Sequence, residues 1–240
     1  MRYFIHLAYK GTAYHGWQNQ PNAVTVQQVL EGALSKILRT QAMVVGCGRT
    51  DAGVHSSSYY AHFEYVGERE LNKEFISHLN SCLPHDIAIF EIYPTDLHAR
   101  FDATRREYKY FIAREKDPFH TDERWLLTTP LLKEEMQVAA SKLLEYSDFA
   151  SFAKTKSDNK TTICKIERAD WEFTEKNYIF TIVADRFLRG MVRAVVGTLV
   201  DVGRGRISVE QFEQIIEAHD RNRASSAAVP GGLFLTDIKY

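Results

Sequence analysis

Residues 2–9 alternate, with Tyr3, Ile5 and Leu7 set against Phe4 and His6, which is the two-residue period of a β-strand. A loop with Gly11 and Gly16 follows, in which Trp17 and Gln18 read as exposed. The period then lengthens. Val26, Val29, Leu30, Ala33, Leu34, Ile37 and Leu38 recur at helical spacing, behind Thr25 and Gln28 at the spacing of a capping box. A β-rich run over 42–45, a glycine-bearing loop and a strand over 58–65 come next. A helix over 71–82, stopped by Pro84, and a strand over 86–93 complete the first half. The order strand, helix, strand, loop, strand, helix, strand resembles a split βαβ sandwich with helices on one sheet face.

The second half repeats the theme. A strand over 104–113 places Tyr108, Tyr110 and Ile112 on one face, and a helix over 132–146 carries Met136, Ala139, Ala140, Leu143 and Leu144. Two β runs (161–173 and 178–184), helices over 187–202 and 208–219, and a strand over 232–238 follow. The expected class is α+β, with one sheet-plus-helix half over 1–103 and another over 104–240. No internal sequence repeat aligns.

Composition adds little beyond exclusions. At 45% hydrophobic and 25% charged residues the chain is that of a globular protein, not a disordered one. No apolar run approaches the roughly 20 residues of a membrane span, and the first residues read as a strand and not as a signal peptide. A cytoplasmic location is expected. The three cysteines, Cys47, Cys82 and Cys164, are far apart, which argues against disulfides and a structural zinc site. Cys47 reads as a small buried filler.

The net charge of −1 conceals segregation. Arg100, Arg105, Arg106, Lys109, Arg114 and Lys116 outweigh the carboxylates of 98–116, and five arginines outweigh those of 184–206, whereas 62–91 is acidic. Several basic segments in one chain point to a polyanion such as nucleic acid.

The most specific chemistry lies in GCGRTDAGVH, residues 46–55. Glycines on both sides of Asp51 would let a strand–loop–strand lift one carboxylate from a sheet edge. The glycine pattern is not a phosphate cradle, since Asp51 stands where a glycine would be needed, and no GxSxG occurs for a hydrolase elbow. Arg189 and Arg193, four apart on the expected 187–202 helix, share a face. On so apolar a helix, Arg193 calls for a buried carboxylate, and Asp51 would suit. Such a pairing lowers a carboxylate's pKa and keeps it ionised, as a nucleophile must be. Tyr108, beside Arg105 and Arg106, reads equally well as a core residue or as a stacking surface for a nucleobase.

Taken in order, YKGTAYHGWQ (9–18), TVQ (25–27), GRTDAGVH (48–55), HARFDATRREYKY (98–110), DFASF (148–152), MVR (191–193) and GLFL (232–235) resemble the tRNA pseudouridine synthase A (TruA) family across essentially the whole chain. The resemblance implies isomerisation of uridine to pseudouridine at positions 38, 39 and 40 of the tRNA anticodon stem-loop, with no cofactor and no metal. It implies Asp51 as nucleophile, and Tyr108 packed on the target base to move its C5 proton. Arg193 would pair the aspartate and fill the gap left by the flipped base, and Leu233 would wall the uracil pocket. Arg49, Arg100, Phe101, Lys156 and Lys160 are the implied RNA contacts. The implied fold is two ferredoxin-like halves about a pseudo-twofold with an active cleft between them, in a homodimer. A base extruded from a stem needs aromatic stacking and cationic support, which the Tyr108 strand carries. Two stretches depart from the family pattern: Ser56-Ser57-Ser58, where a glycine-glutamine is frequent, and Ala227 to Gly231 ahead of Gly232. A non-catalytic RNA-binding module, a synthase acting on other RNA positions, and a ribonuclease or glycosidase are the rival readings.

Overall fold

The computed structural model describes residues 1–155 and 160–240. In chain order its main elements are β1 (Arg2–Tyr9), α1 (Val26–Leu38), β2 (Val44–Gly46), β3 (His55–Glu64), α2 (Lys73–Cys82), β4 (Ile87–Pro94), β5 (Arg105–Ala113), β6 (Trp125–Leu126), α3 (Lys133–Lys142), β7 (Ile166–Phe173), β8 (Asn177–Ala184), α4 (Met191–Gly203), α5 (Val209–Glu217) and β9 (Leu233–Lys239). They gather into two compact units, Met1–Thr104 with Phe234–Tyr240, and Arg105–Leu233. Most of the last strand thus lies with the first unit, whereas the sequence reading grouped it with 104–240.

In the first unit the strands run β4-β1-β3-β9, with β2 also on β3. β1 lies antiparallel to β3, Leu7 opposite Tyr59 and Ile5 opposite Ala61. β9 lies parallel to β3, with His55 opposite Phe234. The two-residue period gives each strand an inner face: Ile5, Leu7 and Tyr9 of β1 and Tyr59, Ala61 and Phe63 of β3 are all buried. Leu30 and Leu34 of α1 and Phe75 and Leu79 of α2 join that core, each contributing roughly 1.5–3 kcal/mol of apolar burial.

The second unit orders its strands β5-β8-β7, with the short β6 parallel to β5. Tyr108 stands opposite Ile182 and Tyr110 opposite Phe180. α4 is buried nearly all round, from Met191 to Gly203, as its almost continuous apolar sequence requires. Parallel and antiparallel strands with interspersed helices make this an α+β chain. Among the described residues, no helix is long and apolar enough to cross a membrane.

Some local expectations are corrected. α4 begins at Met191, not at 187, because Gly190 takes a left-handed φ of 73° as its N-cap. Arg189 therefore lies before the helix and shares no helical face with Arg193. Thr25 caps α1 by accepting from the Gln28 amide, but its hydroxyl donates to Asn19, and the reciprocal capping box is formed instead by Ser208 and Gln211. β6 has no periodicity to betray it, being two residues long.

Candidate active site

Asp51 sits at the start of a tight turn. Its carbonyl accepts the Val54 amide at 3.1 Å, and Gly53, at φ 77°, supplies the positive φ that a type II turn requires at its third residue. The side chain is half-buried. The turn is held by the segment after β1. The Trp17 amide donates to the Thr50 carbonyl at 3.3 Å, and the Gly53 amide to the Tyr14 carbonyl at 3.3 Å. Tyr9 and Thr50 join their hydroxyls at 2.9 Å, and the Tyr59 hydroxyl donates to the Gly48 carbonyl at 2.5 Å. Gly16 is the one residue type that fits here: its φ is 86°, and a Cβ would land on the Thr50 carbonyl oxygen. The carboxylate is thus presented by backbone clamped on both sides, the condition for a preorganised nucleophile.

Trp17, expected to be exposed, is only 2% exposed. It stacks on Tyr59 at 4.1 Å between ring centroids, and its indole lies so close to Gly46 that an added Cβ there would strike it. His55 is a residue whose role the sequence reading missed. Fully buried, it accepts the Gly11 amide on Nδ1 at 2.9 Å and stacks on Phe234 at 4.5 Å. The signal was available in the closing His of GRTDAGVH. The departures at Ser56 and Ser58 are structural: Ser56 donates to the Leu235 carbonyl at 3.0 Å, tying β3 to β9, and Ser58 bonds His6 at 3.1 Å.

In the second unit, Tyr108 is half-buried on β5 and meets Phe187 edge-on at 5.2 Å. Arg106, on the same strand face, donates to the Asp185 carbonyl at 2.7 Å. Arg105 pairs with Glu167 at 3.3 Å, and Arg114 donates to the Leu127 and Thr129 carbonyls. Three cations that the sequence reading counted toward a polyanion thus serve protein partners. Arg193, on the first turn of α4, donates through Nε to the Ala228 carbonyl at 2.8 Å. The segment holding Ala228 follows α4 closely: the Ser225 amide donates to Thr198 at 3.2 Å, and a Cβ on Gly197 would strike the Ser226 carbonyl. Tyr110, with no exposure and its phenol pushed well up by burial, donates to the Val229 carbonyl at 2.7 Å. These bonds lead the chain into β9, whose first residue, Leu233, is buried.

Among the implied RNA contacts, Arg49 and Lys160 are exposed, and Lys156 lies outside the described residues. Arg100 is exposed and lies over the ring of Phe101 at 5.8 Å, and Phe101 is 75% exposed. Their loop rests on His62 of β3, which is 4% exposed and accepts the Ala99 amide on Nδ1 at 3.0 Å. Burial, helped by Arg2 and His98 and opposed by Glu64, pushes the His62 imidazole down to about 4. Cys47 and Cys164 are buried, and burial raises the Cys164 thiol to about 12. No group of three or more His, Cys, Asp or Glu among the described residues is placed to hold a metal.

Comparison with known proteins gives this geometry a context. A family model described as tRNA pseudouridine synthase matches residues 6–102 and 139–240. The tRNA pseudouridine synthase A of Bacteroides fragilis is 50% identical, covering 100% of this chain and 96% of that protein. Its counterpart in Bacteroides thetaiotaomicron is 49% identical over 100% of this chain and 90% of its own length. That of Nitrosomonas europaea is 38% identical over 98% and 87%. Among solved structures, a chain of a Cbf5-Nop10-Gar1 complex covers 97% of this chain and 57% of its own, at a TM-score of 0.39 and 11% identity, too slight a likeness to carry an argument.

Proposed function

This chain belongs to the tRNA pseudouridine synthase family, and from that premise we propose that it isomerises uridine to pseudouridine at positions 38, 39 and 40 of the tRNA anticodon stem-loop, with Asp51 as its nucleophile. The observation that carries the reading is the presentation of Asp51. One half-buried carboxylate sits on a turn whose neighbours Thr50 and Gly53 are bonded to buried backbone and hydroxyl groups.

The reaction conserves atoms. The bond from ribose C1′ to uracil N1 breaks, the base turns, C1′ bonds to C5, the C5 proton leaves and N1 takes up a proton. A carboxylate that adds to C6 or attacks C1′ and is later expelled supplies the covalent step, so no second carboxylate of the glycosidase kind is needed. Tyr108 packs on the extruded base and moves the C5 proton. Leu233 walls the uracil pocket, and Arg193 pairs the aspartate and fills the gap left by the flipped base. Arg49, Arg100, Phe101, Lys156 and Lys160 hold the RNA. The family's finer arrangement goes with this reading: ferredoxin-like halves about a pseudo-twofold, an active cleft, a homodimer and a cytoplasmic location.

The test is tritium release from tRNA labelled at uridine C5. Asp51→Ala lowers the rate by on the order of 10³-fold or more, with tRNA binding retained. Full activity in that variant overturns the assignment of the nucleophile. Strand scission or free uracil would turn the reading toward a hydrolase.

A further inference from the structure

The loop after β4 is built around one peptide group. The Ala99 amide donates to His62 at 3.0 Å, and the Ala99 carbonyl accepts the Tyr240 hydroxyl at 2.8 Å. Ala99 itself has no exposure. Around it, the His98 amide donates to Asp102 at 2.6 Å, and His98 Nδ1 accepts both the Arg100 and Phe101 amides at 3.1 and 3.2 Å. The His98 ring then stacks on Phe101 at 4.3 Å and meets the His62 ring edge-on at 4.6 Å. A backbone so heavily bonded ends in two exposed side chains, an aromatic ring and a guanidinium beside it. That pair is suited to stack on an unpaired base or ribose and to hold a phosphate.

We propose that His62 is a positioning residue for RNA: through its unprotonated Nδ1 it fixes the Ala99 peptide and thereby sets Arg100 and Phe101 in the one arrangement that meets the substrate. The inference rests on the reading of Arg100 and Phe101 as RNA contacts. His62 touches neither substrate nor reacting atoms in this scheme. A backbone amide is always a donor, so Nδ1 must be the acceptor and the ring proton must sit on Nε2. The lowered basicity of the buried ring agrees with that neutral tautomer. Removing the acceptor leaves a buried amide unsatisfied, and the loop is expected to give up its shape to reach water.

The experiment compares wild type, His62→Leu, His62→Asn, Arg100→Ala and Phe101→Ala on unmodified tRNA, with KM and kcat read separately. His62→Leu removes the acceptor and is expected to raise KM roughly tenfold or more with kcat within about twofold. His62→Asn places an amide oxygen near the position of Nδ1 and is expected to recover most of that loss. Arg100→Ala and Phe101→Ala are expected to raise KM as His62→Leu does. If these two leave KM unchanged, the RNA-contact reading of the loop fails. If they raise KM while His62→Leu does not, or if His62→Leu lowers kcat alone, the positioning role is overturned by itself. Amide exchange of Ala99 in the wild-type protein is a second measurement, independent of whether any variant folds. Slow exchange is expected, and exchange at the rate of an open loop overturns the proposal.

Discussion

Arg193 and Ala228 hold each other through two hydrogen bonds: Arg193 Nε donates to the Ala228 carbonyl at 2.8 Å, and the Ala228 amide donates to the Arg193 carbonyl at 2.9 Å. The side chain proposed to pair with Asp51 is thereby oriented by the segment that departs from the family pattern. Its planar head is fixed by the Nε contact, which a lysine cannot reproduce. Arg193→Lys keeps the charge and is expected to lower the rate of tritium release roughly tenfold or more, with stability reduced by about 1–3 kcal/mol. Rate measurement beside a thermal melt checks both, and wild-type rate in this variant would show that charge alone suffices.

Two glycines make a matched pair. At Gly16 the backbone is left-handed and a Cβ would meet the Thr50 carbonyl, whereas at Gly32, exposed on α1, nothing lies within 4 Å of an added Cβ. Gly16→Ala is expected to destabilise by roughly 1–3 kcal/mol and to slow the reaction by displacing the Asp51 turn. Gly32→Ala is expected to stabilise by about 0.5–1 kcal/mol at unchanged activity. Urea denaturation of the two variants reads the contrast directly.

Thiol reactivity tests the placement of the cysteines. Cys82 is exposed, while Cys47 and Cys164 are buried. With a thiol held at about 12, Cys164 carries almost no thiolate near pH 8. A disulfide reagent at that pH is expected to titrate one thiol rapidly in the native protein and all three in denaturant. Rapid native reaction of two or three would contradict the packing around Cys47 or Cys164.

His62 couples the fold to pH. Its value of about 4 lies below the 6.5 of an imidazole in an unfolded chain, so on acidification the unfolded state takes up the proton first. The stability contributed by this group is complete above pH 6.5. It is lost as pH falls from 6.5 toward 4 and changes no further below that. His62→Asn removes the titration and keeps an acceptor for the Ala99 amide. The difference in melting temperature between wild type and this variant is expected to shift against wild type across that window. A constant difference from pH 7 to pH 4 would show that His62 does not titrate as described.

The elements that could be read from the chain were those whose periodicity was long enough to record a buried face. β1 and α1 were found at nearly their observed bounds, since Ile5 and Leu7, or Leu30 and Leu34, recur with the period of their own backbone. Boundaries set by a single dihedral were not. The apolar run through Phe187 and Leu188 reads as one helix with Met191–Gly203, and only the left-handed Gly190 divides them. Trp17 and His55 were misjudged or passed over for a related reason. Their burial comes from Tyr59 and Phe234, 42 and 179 residues away along the chain, and no local pattern encodes such partners.

The order and kind of the chemical groups, above all Asp51 in its glycine-flanked loop, were legible in the linear chain, because reactivity belongs to residue type and a tight turn needs only neighbouring glycines. How firmly that carboxylate is seated was decided by folding. Thr50 meets Tyr9 and Trp17, Arg193 meets Ala228, and Ala99 meets His62 and Tyr240. Each of these is a hydrogen bond between groups far apart in the chain. Its existence depends on register and burial, which arise only when the whole core closes.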